Sequence, residues 1–364
     1  MNKYMMKNYT LFGREIKKQD KLTNFMRKIF KNAVLQYIFF GAVMCIIGVL
    51  ATEKILPYAW QSSFATTFAY AIASIGFCLL MGYSGLASLG TGGFIGIGTY
   101  AVHYVMVESG LPFFVALLAA IIISVVIGLI VGFISLRIEG IYLVILTLAL
   151  SEILRTLYAA IEPKLTLSSS DAVLFGVKFP RTSSLMLVSF FLVVVMIITT
   201  NLINSPTGRA MLAMKNSTAA AQAMGISLIK YRLMAFVICT AYASLTGVLL
   251  MMVVRSADAT DATGYYALIT SLNILAAVII GGYKSVWGAV VGTFIMYGID
   301  LVVFQQIPFF AENPLIITLA SGVLVIVIVM FYPGGLAQLL VELKGKIKVL
   351  RQKIKEGKYG KDLG

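Results

Sequence analysis

Few residues in this 364-residue chain could do chemistry, and their spacing narrows what that chemistry is. Glu152 and Arg155 stand three apart in an apolar stretch, so on a helix they share a face and can pair. An ionised side chain in such a stretch costs roughly 2.5–3.5 kcal/mol near the bilayer centre, so the pair either braces one mouth of the molecule or meets a polar solute. Asp300 falls near the outer end of another stretch, solvated or capped by a neighbour, and the single histidine, His103, near the outside end of a third. Ser/His/Asp sets, His/Cys metal spacings and paired carboxylates are all missing, so neither a catalytic constellation nor a metal site is expected. Cys45, Cys78 and Cys239 lie in apolar runs without pairing or metal spacing and read as small packers.

The segment from Gly82 to Tyr100 is dense in small residues, with Ser88, Gly92 and Gly96 four apart. On a helix these would form a flat strip open to another helix or a ligand backbone. Gly128/Gly132 and Gly288/Gly292 are further close-packing pairs, read as structural. A phosphate loop would need a Gly-Lys-Ser/Thr ending, and the chain has none, so any work it does is driven by a partner's nucleotide hydrolysis or by an ion gradient. A gradient-driven secondary transporter is the alternative reading, but His103 alone does not make a deep proton relay. An integral membrane enzyme or scaffold would need a catalytic set or an absence of flux.

These residues must be positioned by membrane helices. With 60% hydrophobic and 12% charged residues and a mean hydropathy of +0.94, the chain reads as an all-α polytopic membrane protein. Spans of about 20 residues are expected at 33–52, 65–82, 88–107, 112–136, 140–158, 184–203, 233–254, 266–283, 286–305 and 314–332. If both termini are cytoplasmic, 23 of the 29 Lys and Arg residues fall inside, as the positive-inside rule requires. The +14 net charge is therefore a topology signal, with anionic headgroups as a further partner of the basic ends, and it argues against a nucleic-acid partner. A basic N-terminal segment (1–32), a transmembrane domain (33–336) and a basic tail (337–364) follow. The long polar N-terminal segment is unlike a signal peptide, so the first span is expected to be retained. The loop 159–182 is expected to fold over the outer mouth. A weak internal echo links Gly82-Tyr83 through Phe94 with Gly282-Tyr283 through Phe294, as in transporters built from repeated halves.

The cytoplasmic loop 205–232 carries four basic residues and no acidic one. Ser205 can cap a helix with Pro206 at its first position, and Asn216 or Ser217 a second helix that stops at Gly225. Met211, Leu212, Met214, Ala220, Met224 and Ile226 would form an apolar knob fringed by Arg209, Lys215 and Lys230, shaped for a partner's groove or for the membrane surface.

From about residue 60 to 336 the chain resembles the membrane permeases of ATP-binding cassette importers for branched-chain amino acids, within the wider group that includes ribose and urea permeases. The resemblance rests on Gly82-Tyr83, Ser88-Leu89-Gly90 and Gly96; on Arg137, Gly140, Tyr142, Thr147-Leu148-Ala149 and Glu152; on Ser205-Pro206, Gly208-Arg209-Ala210, Ala220-Ala221 and Met224-Gly225-Ile226; and on Gly281-Gly282, Ser285, Trp287-Gly288, Gly292 and Pro333-Gly334-Gly335-Leu336. It implies that Ala220 to Gly225 is the coupling helix docking in a cleft of an ATPase subunit. Gly208, Arg209, Ala213, Lys215, Ala220, Ala221, Met224 and Gly225 become the candidate coupling residues, and Ser88, Thr91, Gly92, Gly96, Thr147, Glu152 and Ser271 candidates for the translocation path. The implied partners are two ATPase subunits, which would hold ATP and magnesium, a second permease subunit (paralogue or self) and an extracytoplasmic substrate-binding protein, in the plasma (inner) membrane of a prokaryote. Two departures stand out: Asn216, Thr218 and Gln222 replace the family's usual glutamates, and Thr91 stands where histidine is frequent.

Overall fold

A chain in hydrocarbon must satisfy its backbone groups internally, so the apolar runs fold as helices. The computed structural model describes residues 33–52, 58–135, 141–168, 173–174, 177–261 and 264–303, with isolated positions between 316 and 336. The segments 1–32 and 337–364, Arg137, Gly140, most of the expected span 314–332, Pro333-Gly334 and the side chain of Asp300 lie outside the described residues.

Helix α1 is Ala33–Thr52, and α2 is Tyr58–Leu79, continued by a π-helical turn at Leu80–Ser84. After an irregular stretch, α3 (Thr91–Val102) follows and passes into a π turn at His103–Glu108. Then come α4 (Phe113–Ser135), α5 (Ile141–Ile161), α6 (Ser184–Asn204), the short α7 (Pro206–Asn216) and α8 (Thr218–Ala223), and α9 (Leu228–Val254). Helix α10 (Leu268–Gly281) and α11 (Val286–Thr293), with a π-wound continuation Phe294–Val303, complete the order. Among the described residues five helices are long and apolar enough to cross a bilayer: α2 with its π turn, α4, α5, α6 and α9; α1, α10 and α11 are shorter apolar helices.

Burial separates centre from wall. The most apolar windows of α2 and α9 are 89% and 78% buried, whereas those of α4 and α5 are 28% and 22% buried and leave Ile122, Ile130, Phe133, Ile145 and Ile153 on the outside. Helix α3 is buried along its whole length by its neighbours, so the expected span 88–107 is an enclosed helix starting at Thr91, and Ser88 precedes it instead of continuing the Gly92/Gly96 strip.

Small residues set how closely the centre packs. A Cβ on Gly247 of α9 would overlap the Ile95 carbonyl of α3, and one on Gly98 of α3 would overlap the Ser244 carbonyl. Gly128 and Gly132 of α4 would likewise meet Thr240 and Leu233 of α9, at 2.5 Å and 2.7 Å, and Gly281 and Gly292 lock α10 against α11. Without a hydrophobic force between helices in lipid, such close backbone approach is a main source of association.

The all-α expectation needs one amendment. At the end of the bundle where α5 stops and α9 stops, β1 (Lys164–Thr166) pairs antiparallel with β4 (Ser256–Asp258), Leu165 opposite Ala257. A second ladder joins β2 (Val173–Leu174) to β3 (Val177–Lys178). Buried Arg255 terminates α9 with φ of 63° and donates to the Phe179 carbonyl at 2.6 Å, so loop 159–182 is stitched to α9. Hydropathy could not show the β1–β4 ladder, because its partners lie some ninety residues apart.

Candidate functional site

Two regions gather the predicted residues. The first is the interruption between α2 and α3. Helix α3 begins inside the bundle, where its first amides have no intrahelical acceptor. Hydroxyls from other helices accept from them: Ser271 Oγ of α10 from Gly92 N at 2.8 Å, and Ser151 Oγ of α5 from Gly93 N at 2.9 Å. Thr147 Oγ1 accepts from Leu89 N at 3.0 Å and Ser88 Oγ from Gly90 N at 3.3 Å. Ser88, Thr91, Gly92, Thr147 and Ser271 therefore do converge, and four of them are bound up in holding the break open. Gly96 faces the Tyr158 ring, with which a Cβ would collide.

Sequence reasoning did not single out Ser151 or the tyrosines. Tyr158 Oη donates to the Gly93 carbonyl at 2.8 Å and its ring stacks on Tyr100 at 4.5 Å. Thr99 donates to Tyr266 Oη at 2.8 Å, and Tyr70 stacks on Tyr297 at 4.1 Å. Isolated tyrosines in apolar runs carry no spacing signal; only the fold assembles them.

Glu152 stands apart from this cluster. It accepts from Arg155 Nε at 2.7 Å, as its spacing predicts, and Arg155 also donates to the Ala259 carbonyl at 3.3 Å. Both side chains are partly exposed, and the pair clamps α5 to the loop beyond β4. His103 is not solitary: its Nε2 lies 3.2 Å from a Glu162 carboxylate oxygen.

The second region is the hairpin α7–α8 at the other end of α9. Ser205 Oγ accepts from Gly208 N at 3.4 Å, with Pro206 in the first turn, and Ser217 Oγ accepts from Ala220 N at 3.3 Å. Gly225, at φ of 79°, closes α8: Ile226 N donates to the Ala221 carbonyl and Gly225 N to that of Gln222, each at 2.9 Å. That is the glycine-terminated helix end known as the Schellman motif.

Which faces point outward differs from the expected knob. Met211 and Met214 are fully buried within the chain, as are Ala221 and Gly208, the last pressed on the Ile203 carbonyl. Amphipathic spacing identifies an apolar face but not what covers it. The exposed surface is Leu212, Ala213, Ala220 and Met224, the last 83% exposed, beside Arg209 and Lys230.

Lys215 also turns inward. Its Nζ donates to the carbonyls of Met81 at 3.0 Å and Gly82 at 2.8 Å, the unsatisfied end of α2, and stands 4.5 Å over the Tyr283 ring. A cation at a helix C-terminus is stabilised by the free carbonyls. Desolvation, and then the nearby Lys284 ammonium, holds Lys215 below the usual lysine range. Gly82 in turn is pressed against the Tyr283 carbonyl, to which Cys78 also donates, and Tyr83 Oη donates to the Lys284 carbonyl at 3.0 Å. The two segments that echo each other in sequence thus meet, with Lys215 across the join.

A buried core of close-packed helices, an interrupted helix lined by hydroxyls and a polar hairpin bound to the interruption are the parts of a multi-pass membrane transport protein. Residues 61–332 match the family described as branched-chain amino acid transport system / permease component, and the chain belongs to that family. It is 29% identical over 259 residues to the high-affinity branched-chain amino acid transport system permease protein LivM of Salmonella typhimurium, and equally to LivM of Escherichia coli, covering 63% of this chain and 60% of each relative. A probable branched-chain amino acid transport permease protein LivH of Methanocaldococcus jannaschii is 32% identical over 150 residues, 41% of this chain and 44% of that protein. The chain thus spans about 60% of the length of the LivM relatives. No solved structure matches it.

Proposed function

We propose that this chain is the permease subunit of an ATP-driven importer, carrying branched-chain amino acids inward across the plasma (inner) membrane of a prokaryote. Two separate ATPase subunits would bind ATP and magnesium, a second permease subunit would complete the pore, and an extracytoplasmic binding protein would deliver the solute. The hairpin end of the bundle, and with it both termini, lies in the cytoplasm on this reading. The observation that carries it is the hairpin α7–α8: a capped, outward apolar face at Leu212, Ala220 and Met224, held to the end of α2 by Lys215.

An ATPase subunit gripping that face would shift the interruption between α2 and α3 through Lys215 and the 282–284 turn. Coupling of this kind needs the partner to bind one arrangement of the helices better than another. Ligand-stimulated ATPase activity of the reconstituted complex, read across amino acids, sugars and urea, tests the proposal. Stimulation by leucine, isoleucine and valine is expected; stimulation by a sugar or urea instead would replace the substrate. Uptake by this chain alone under an imposed ion gradient would overturn the mechanism.

A further inference from the structure

At the sheet end of the bundle a cavity of about 470 Å³ opens between the β1–β4 ladder and the loop before α10. That is within the roughly 300–1,000 Å³ typical of small-molecule sites. Its rim is charged on both signs: Lys164 on β1, Asp258 on β4 and Asp261 on the loop. Leu165, Ala257, Tyr265 and, from α2, Tyr70 also line it. Leu165 and Tyr70 are buried, and Tyr70 stacks on Tyr297.

The rim is organised as well. Lys164 Nζ lies 3.5 Å from Asp258 Oδ2, a distance that leaves the pair loose. The other oxygen of Asp258 accepts from the Thr260 amide at 2.8 Å and from its hydroxyl at 2.6 Å, which aims the carboxylate and holds it below the usual carboxylate range. The loop carrying Asp261 is pinned where Thr270 Oγ1 donates to the Gly264 carbonyl at 3.0 Å.

One cation and two anions beside the half-buried Tyr265 ring match a small zwitterion with an aliphatic side chain. We infer that this cavity binds a free amino acid at the outer face, with Lys164 receiving the α-carboxylate, Asp258 and Asp261 the α-ammonium, and the side chain resting on Tyr265. A solute with one charge would satisfy half of the rim and leave the other half to the Lys164–Asp258 pair. The inference rests on the proposed import of branched-chain amino acids and places their first contact with this chain. It adds residues absent from the sequence-based path, since Lys164, Asp258 and Asp261 stand in no motif or regular spacing.

The test is binding of radiolabelled leucine to the full-length chain in lipid nanodiscs, with 4-methylpentanoate and 3-methylbutylamine, which lack the amino or the carboxyl group, as competitors. Each analogue is expected to compete about tenfold less well than leucine, the loss of one charge-assisted contact. Lys164→Met should weaken leucine to a similar degree yet leave 3-methylbutylamine unchanged, and Asp261→Asn should weaken leucine and spare 4-methylpentanoate. Both side chains are exposed, so the thermal melting of the variants should match the parent. Absence of leucine binding, variants that bind leucine like the parent, or equal losses for leucine and both analogues overturn the site. Leucine-stimulated ATPase activity in the reconstituted parent complex is read in parallel. If it persists while the binding results fail, the site is wrong and the importer reading stands; if it is absent while the binding results hold, the importer reading fails alone.

Discussion

Lys215 shows how far a single side chain can reach beyond its local sequence. Spacing placed it on an amphipathic helix, but nothing near it could reveal acceptors at Met81 and Gly82, more than 130 residues away. Charge-assisted bonds of this sort contribute about 1.5–3 kcal/mol where they are shielded from water. Lys215→Met is therefore expected to leave copurification of ATPase subunits intact while cutting uptake by the reconstituted complex about tenfold. Lys215→Arg should recover part of it. Copurification lost together with uptake would instead make Lys215 a docking residue. Because its folded-state pKa is lowered, the charged link is lost at a lower pH than an ordinary lysine would allow, so uptake of the parent should fall on the alkaline side before that of Lys215→Arg. Met224 calls for the opposite result. At 83% exposure it supports little internal packing, so Met224→Asp should abolish copurification of the ATPase subunits without moving the melting temperature of the permease. Normal stoichiometry in that variant would remove α8 from the interface.

At the level of elements, local grammar was readable and long-range closure was not. Ser205, Pro206, Gly225 and a cap at Asn216 or Ser217 announced the hairpin because capping depends on residues three or four apart, and of the two the structure uses Ser217. The run 88–107 looked like an ordinary span because hydropathy responds to composition, whereas the start of α3 depends on hydroxyls from Ser151 and Ser271. The glycines were read as close-packing sites, but their partners became visible only in three dimensions. Gly247→Leu is the sharpest check on this packing. Its side chain would have to displace the Ile95 carbonyl, so a cost above about 3 kcal/mol is expected, seen as loss of a monodisperse peak on size-exclusion chromatography in detergent. Gly322→Ala, on an exposed helical position where nothing lies within 4 Å of a new Cβ, serves as the control and should elute like the parent.

For the whole molecule, composition and basic-residue bias carried the class, and the described helices agree with a multi-pass protein of the permease family. Sidedness is open to direct measurement. A cysteine introduced at exposed Asn216, in a chain with Cys45, Cys78 and Cys239 replaced by serine, should react with an impermeant thiol reagent in inverted vesicles and not in intact cells. Labelling from outside would invert the topology. The long α9 then acquires a mechanical meaning. It runs 27 residues from the hairpin to the ladder beside the charged cavity, clasped against α4 at Leu233 and Thr240 and against α3 at Gly247. At 1.5 Å per residue it is a rod of about 40 Å gripped at several points along its length. Such a rod cannot pivot about one of them, so a pull at the hairpin would move it as a whole and arrive undiminished beside the cavity. A stroke on one side of the membrane would thus be felt on the other with no hinge between.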